Sequence, residues 1–133
     1  MRFYSLQNLI NFISFKRYRF ASSWIWSDFV HSSTFQLSSF LDVLIEPLDS
    51  NKIDHDKIKL GLHEALVNAV KHGNLNDNSK ELRVRRIITN NWFVWQIKDE
   101  GQGIPKAYRN FSLPNNLDAE SGRGLYIIFQ CFD

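Results

Sequence analysis

The feature that most constrains this chain is a change of hydrophobic period, from helical to strand-like and back again. Leu37, Phe40, Leu41, Leu44, Ile45 and Leu48 recur at three- and four-residue spacings, which puts them on one face of a helix. Ser32, Ser33 and Thr34 offer its N-cap and Pro47 stops it. A second helix is predicted from near Asp54 to Gly73, with Ile58, Leu62, Ala65, Leu66 and Ala69 as its apolar stripe. Gly73, following Lys71 and His72, is a suitable C-cap. After a polar loop over 74–79 the period becomes two: Leu82, Val84 and Ile88 alternate with Arg83, Arg85 and Ile87. Asn90-Asn91 is a two-residue turn, because Asn tolerates positive φ. Trp92 to Lys98 then reads as the partner strand of a hairpin. Residues 104–121 read as a loop. A last helix is predicted from Gly122–Gly124, with Leu125, Ile128, Phe129 and Phe132 on one face.

A chain of 133 residues, 44% hydrophobic and 23% charged, suits one globular domain. The formal net charge of +2 argues against nucleic-acid binding, and Arg83, Arg85 and Arg86 read as the solvated part of the hairpin. One cysteine, Cys131, excludes an internal disulfide framework and suits a reducing, cytoplasmic compartment. No run approaches the roughly 18–20 apolar residues that span a bilayer. Residues 1–27 contain Arg2, Lys16, Arg17 and Arg19 but no acid, and Asp28 is the first carboxylate. Gln7, Asn8, Asn11 and Ser14 interrupt every candidate signal-peptide core. The chain therefore divides into a basic, aromatic extension (1–27) and a domain (28–133). The sharper alternative for the extension is a membrane-surface or partner-binding arm.

Three short segments carry candidate chemistry. Glu64 and Asn68 are four residues apart on the second helix and project together, opposite the apolar stripe, with Gly61 one turn earlier leaving room for something to approach. Hard oxygen ligands of this kind can hold a divalent cation; alone, the pair would more often be a solvated polar face. His63-Glu64 also begins a zinc-protease-like helix, but Val67 stands where the second His is required. The second segment is Asp99-Glu100-Gly101-Gln102-Gly103 at a strand's end. Its glycines let the backbone turn tightly under a flat ligand, and its carboxylate can accept from an exocyclic amine; an ordinary turn is the plain alternative. The third, Ser121-Gly122-Arg123-Gly124-Leu125, is a glycine-rich helix entry whose free N–H groups suit phosphate. It matches neither the P-loop nor the dinucleotide fingerprint, and a capped helix start with nothing bound is its plain reading.

In order, these segments resemble the ATPase/kinase superfamily of DNA gyrase, heat-shock chaperones, mismatch-repair proteins and sensor histidine kinases. Glu64 to Gly73 is similar to its N box, Asp99 to Gly103 to its first glycine box, and Gly122 to Gly124 to its second. The short inter-box segment and small size resemble the anti-sigma-factor serine/threonine kinases. The resemblance implies an α/β (α+β two-layer sandwich) fold of Bergerat type: a mixed, mostly antiparallel sheet with three helices on one face. It also implies two further strands beyond Asp133, so either the coding sequence is truncated or the sheet is incomplete and exposes an edge. The implied cofactors are ATP and Mg²⁺. By resemblance Glu64 is the general base toward a substrate serine, and Asn68 holds Mg²⁺. Asp99 bonds the adenine amine over a floor of Gly101 and Gly103, and Ser121, Gly122 and Gly124 contact phosphates. Glu120 stands where some members have Arg, with Arg123 able to compensate its charge. The implied partners are a sigma factor, an anti-sigma-factor antagonist, or both, and the family allows a homodimer. The alternative function is an ATP-dependent binding module with little or no transfer.

Overall fold

The computed structural model describes residues 10–16, 25–32, 37–48, 53–89, 92–104 and 123–132. They form strands β1 (Ile10–Lys16) and β2 (Ile25–Ser32), then helices α1 (Leu37–Ile45) and α2 (His55–Asn68). A π-helical turn (Ala69–Gly73) prolongs α2, followed by strands β3 (Glu81–Ile88) and β4 (Trp92–Lys98) and helix α3 (Arg123–Cys131). The sheet order is β1-β4-β3-β2. Every neighbouring pair is antiparallel, so among the described residues the sheet is not mixed as expected. The architecture is the two-layer α+β sandwich, with three helices on one face.

β1 comes from the segment expected to lie outside the domain. Ile10 stands opposite Lys98 and Lys16 opposite Trp92, so one edge of β4 is covered rather than open. On the other side of the sheet, β2 starts at Ile25, ahead of the boundary drawn at 28.

Strand alternation decides which residues reach the helices. Leu82, Val84 and Ile88 of β3 and Phe93, Trp95 and Ile97 of β4 are buried against Phe40, Leu44, Ile58, Leu62, Leu66 and Ile128. At about 1.5–3 kcal/mol per buried large apolar side chain, this layer is the main cohesive term. Arg86 lies in phase with Leu82 and Ile88, and it is buried, whereas the sequence reading leaves it in solvent with Arg83 and Arg85. Burial pushes its pKa down, and Glu46 opposes that shift.

The buried guanidinium has a structural use. A helix leaves its last carbonyls without intrahelical donors, and Pro47 ends α1 against the sheet. Arg86 Nη1 donates to the Val43 carbonyl at 2.6 Å and Trp95 Nε1 to that of Leu44 at 3.3 Å. Backbone N–H groups of Glu46 and Leu48 satisfy Asp42 and Ile45. Arg86 Nη2 also donates to Ser27 Oγ at 3.2 Å, and its guanidinium lies over the Phe29 ring. Two sheet side chains thus cap α1.

Candidate functional site

The N-terminus of α2 is set by Asp54, whose carboxylate accepts from Lys57 N at 3.0 Å. From there the helix carries Glu64 and Asn68 one turn apart, both half-buried. They face α3, not open solvent. The reason begins at Gly61, where a Cβ would lie 2.6 Å from Cys131 Cβ and strike the Phe132 ring. The room that Gly61 leaves is filled by the end of α3. Because that end meets Gly61, α3 runs antiparallel to α2 and its first turn falls beside Glu64 and Asn68.

Gly124 sits in that first turn. A Cβ there would lie 2.9 Å from Glu64 Oε2 and 3.1 Å from Asn68 Nδ2. The first and third sequence segments therefore meet in space, and the meeting depends on the missing side chain. Ser121 and Gly122 lie outside the described residues. Nδ1 of His63 is 3.7 Å from Oε1 of Glu64. Among the described residues this places a carboxylate and a carboxamide next to a helix N-terminus, which favours negative charge.

Asp99 follows β4 and is 6% exposed. Burial raises its carboxyl pKa, the largest effect, while the N–H of Gly101, donating to Oδ1 at 2.8 Å, opposes it. The carboxylate lies against Gly73 at the end of the π turn: a Cβ on Gly73 would lie 2.7 Å from both Asp99 oxygens. A Cβ on Gly101 would in turn lie 2.6 Å from Gly73 Cα. Gly103 has φ of 90°, a backbone that glycine adopts without strain. Gly73, the last residue of the stretch similar to the N box, thus meets the second segment as closely as Glu64 and Asn68 meet the third.

Sequence reasoning missed two residues here. Gly73 reads as a helix cap, yet its Cα hydrogens face the Asp99 carboxylate. Asn74 reads as loop, yet it is fully buried. The signal was its position directly after a helix-ending glycine, at the start of a loop that must return to β3.

The donor set fits the implied cofactors. Glu64 and Asn68 offer hard oxygens of the kind Mg²⁺ prefers, and the missing side chain of Gly124 leaves them beside the α3 backbone. A described helix long and apolar enough to cross a membrane is absent. No curated protein matches the chain. The model of the histidine kinase-like ATPase domain, an ATP-binding family, matches residues 36–133. That span takes in α1, α2, the β3–β4 hairpin and α3, with all three segments in their expected order, and the chain belongs to the histidine kinase-like ATPase domain family.

Proposed function

We propose that the chain is an ATP-dependent serine/threonine protein kinase of the anti-sigma-factor regulatory type, working in the cytoplasm on a sigma-factor regulator. The observation that carries this reading is the convergence of Glu64 and Asn68 on Gly124. It puts the Glu64 carboxylate and the Asn68 carboxamide beside a helix N-terminus, which supports reading them as base and metal ligand next to a phosphate chain.

In this reading Asp99 accepts the adenine amino proton over Gly101 and Gly103. Ser121, Gly122 and Gly124 take the phosphates. Asn68 holds Mg²⁺, which when bound neutralises charge on the phosphates during transfer. Glu64 accepts the hydroxyl proton of a partner serine as the serine Oγ–Pγ bond forms; the bond from Pγ to the β-phosphate oxygen breaks and ADP leaves. Phosphoryl transfer depends mostly on positioning and charge neutralisation, so a small site of this composition is sufficient. The partner is a sigma factor, an anti-sigma-factor antagonist, or both, and a homodimer is compatible with the family.

The test separates binding from transfer. A general base contributes on the order of 10²–10⁴-fold in rate and little to nucleotide affinity. Glu64→Gln is expected to bind Mg·ATP normally and to lose serine phosphorylation of a co-purified partner. Asn68→Ala is expected to lose both. Tight ATP binding with no transfer by the unmutated protein would make the chain an ATP-dependent binding module instead.

A further inference from the structure

Asn74 is the fully buried polar residue closest in sequence to the Asp99 contact, and its bonds lead to the loop that carries Asp99. Its Nδ2 donates to the Glu81 carbonyl at 3.0 Å, and its Oδ1 accepts from the Glu100 N–H at 2.8 Å. Its own N–H donates to the Ala69 carbonyl at 2.8 Å, closing the π turn. The side chain of Glu100 completes the loop, accepting from Glu81 N at 2.7 Å. One carboxamide therefore ties the end of α2 to the start of β3 and to the residue after Asp99.

The π turn matters to this arrangement. A wide turn adds a residue relative to an α-helix, and such turns are frequent at functional sites. Here it ends with Gly73 pressed against the Asp99 carboxylate and with Asn74 turned into the protein. Beyond it, Leu75 and Asn76 take φ of 57° and 55°. That is a costly conformation for a leucine, and it is held by Asn76 N donating to the Val70 carbonyl at 2.9 Å.

We propose that Asn74 is a positioning residue that sets the Asp99 carboxylate, and through it the preference for a purine bearing a 6-amino group. The inference rests on the reading of Asp99 as the adenine acceptor. Three contacts fix the orientation of Asp99: Gly101 N–H donates to Oδ1, Gly73 packs on the carboxylate, and Asn74 holds the peptide that follows it. A hydrogen bond weakens steeply as its angle degrades, so releasing Glu100 costs the Asp99–amine bond without touching the phosphate side.

The experiment compares Mg·ATP with the Mg complex of purine riboside triphosphate, which lacks only the exocyclic amine. Calorimetry on the full chain measures the affinity ratio. The unmutated protein is expected to favour ATP by about ten- to a hundredfold, the value of one charge-assisted hydrogen bond. Asn74→Ala and Asn74→Ser both remove the carbonyl that accepts from Glu100, and each is expected to cut that ratio about tenfold. Their affinity for purine riboside triphosphate should stay nearly unchanged. General loosening would weaken both nucleotides alike and keep the ratio, which overturns the inference. A ratio lost in Asp99→Asn but kept in the Asn74 variants overturns this inference alone. A ratio near one in the unmutated protein overturns the Asp99 reading and this inference with it. Should neither variant fold, NMR of the unmutated protein decides: the Asn74 side-chain amide and Glu100 backbone amide shift with ATP more than with the amine-free analogue, and equal shifts overturn the proposal.

Discussion

The two ends of the helical layer are fastened to the rest of the molecule by opposite means. α1 is held by what the sheet side chains add, with Arg86 and Trp95 reaching up to its last carbonyls and an apolar layer beneath. α2 and the segments packed on it are held by what they lack. Gly61, Gly73, Gly101 and Gly124 each remove a Cβ at a place where another segment comes within contact. Side-chain packing gives cohesion at α1, whereas at α2 close backbone approach brings Glu64, Asn68 and Asp99 against neighbouring segments. On the proposed function one end serves stability and the other binding, so mutations at the two ends should fail differently.

The largest expected effect lies at the α1 end. Trp95 is fully buried, stacked on Phe93 with ring centroids 6.1 Å apart and tilted against Phe132. Trp95→Ala opens a cavity and strips the Leu44 carbonyl of its donor, at a cost of about 3–5 kcal/mol. Urea denaturation should show that loss, while any protein still folded binds Mg·ATP with ordinary affinity. A variant that binds poorly although folded would break the division between the two ends.

Gly73→Ala is the converse change. Its φ lies outside the glycine-favoured region, and alanine in a helix is more favourable than glycine by up to about 1 kcal/mol. Against that gain, the methyl would lie 2.7 Å from both oxygens of the buried Asp99 carboxylate, so overpacking should lower stability by about 1–3 kcal/mol. The methyl group meets the Asp99 carboxylate, so Mg·ATP affinity is expected to fall about tenfold or more, the scale of losing one charged hydrogen bond. Calorimetry beside a denaturation curve reads both quantities. Lost stability with affinity intact would show that the contact serves only packing.

A smaller effect sharpens the comparison through pH. Burial raises the Asp99 carboxyl pKa, so between the ordinary carboxylate range and that raised value the folded chain binds more protons than the unfolded one. The stability contributed by Asp99 is then present at low pH and falls as pH rises through that window. Binding has the opposite sign, because only the ionised carboxylate accepts the amine. Affinity for ATP should weaken as pH falls through the raised value, and the ratio of wild-type to Asp99→Asn affinities isolates this from titration of the nucleotide itself. A ratio constant with pH would remove the ionised carboxylate from the site.

How much of this was legible in the sequence depends on whether the cause was local. The Leu37–Leu48 stripe, the Asp54 cap and the β3–β4 hairpin are written in residues a few positions apart, and the helices and strands fall close to where spacing puts them. Glu64 and Asn68 were recognisable because helix geometry places residues four apart together. Arg86 reads as solvated because its charge outweighs its phase: its position matches Leu82 and Ile88, and the distant Val43 carbonyl, Ser27 hydroxyl and Phe29 ring explain why a guanidinium can stay there. β1 was read as an extension because its pairing with β4 joins positions far apart in the chain, and neither register nor partner has a local signal. Gly73 reads as a helix cap and Asn74 as loop for the same reason, since Asp99 and Glu100 approach them only through the fold.

The central claim is that Asp99, buried between Gly73 and Gly101, reads the base of a bound ATP. Calorimetric titration of Mg·ATP into the unmutated protein and into Asp99→Asn tests it most directly. The substitution keeps shape and removes charge, so the fold should persist. The account predicts an affinity about ten- to a hundredfold weaker for Asp99→Asn, the value of one charge-assisted hydrogen bond in a buried site. Equal affinities for the two proteins would contradict it.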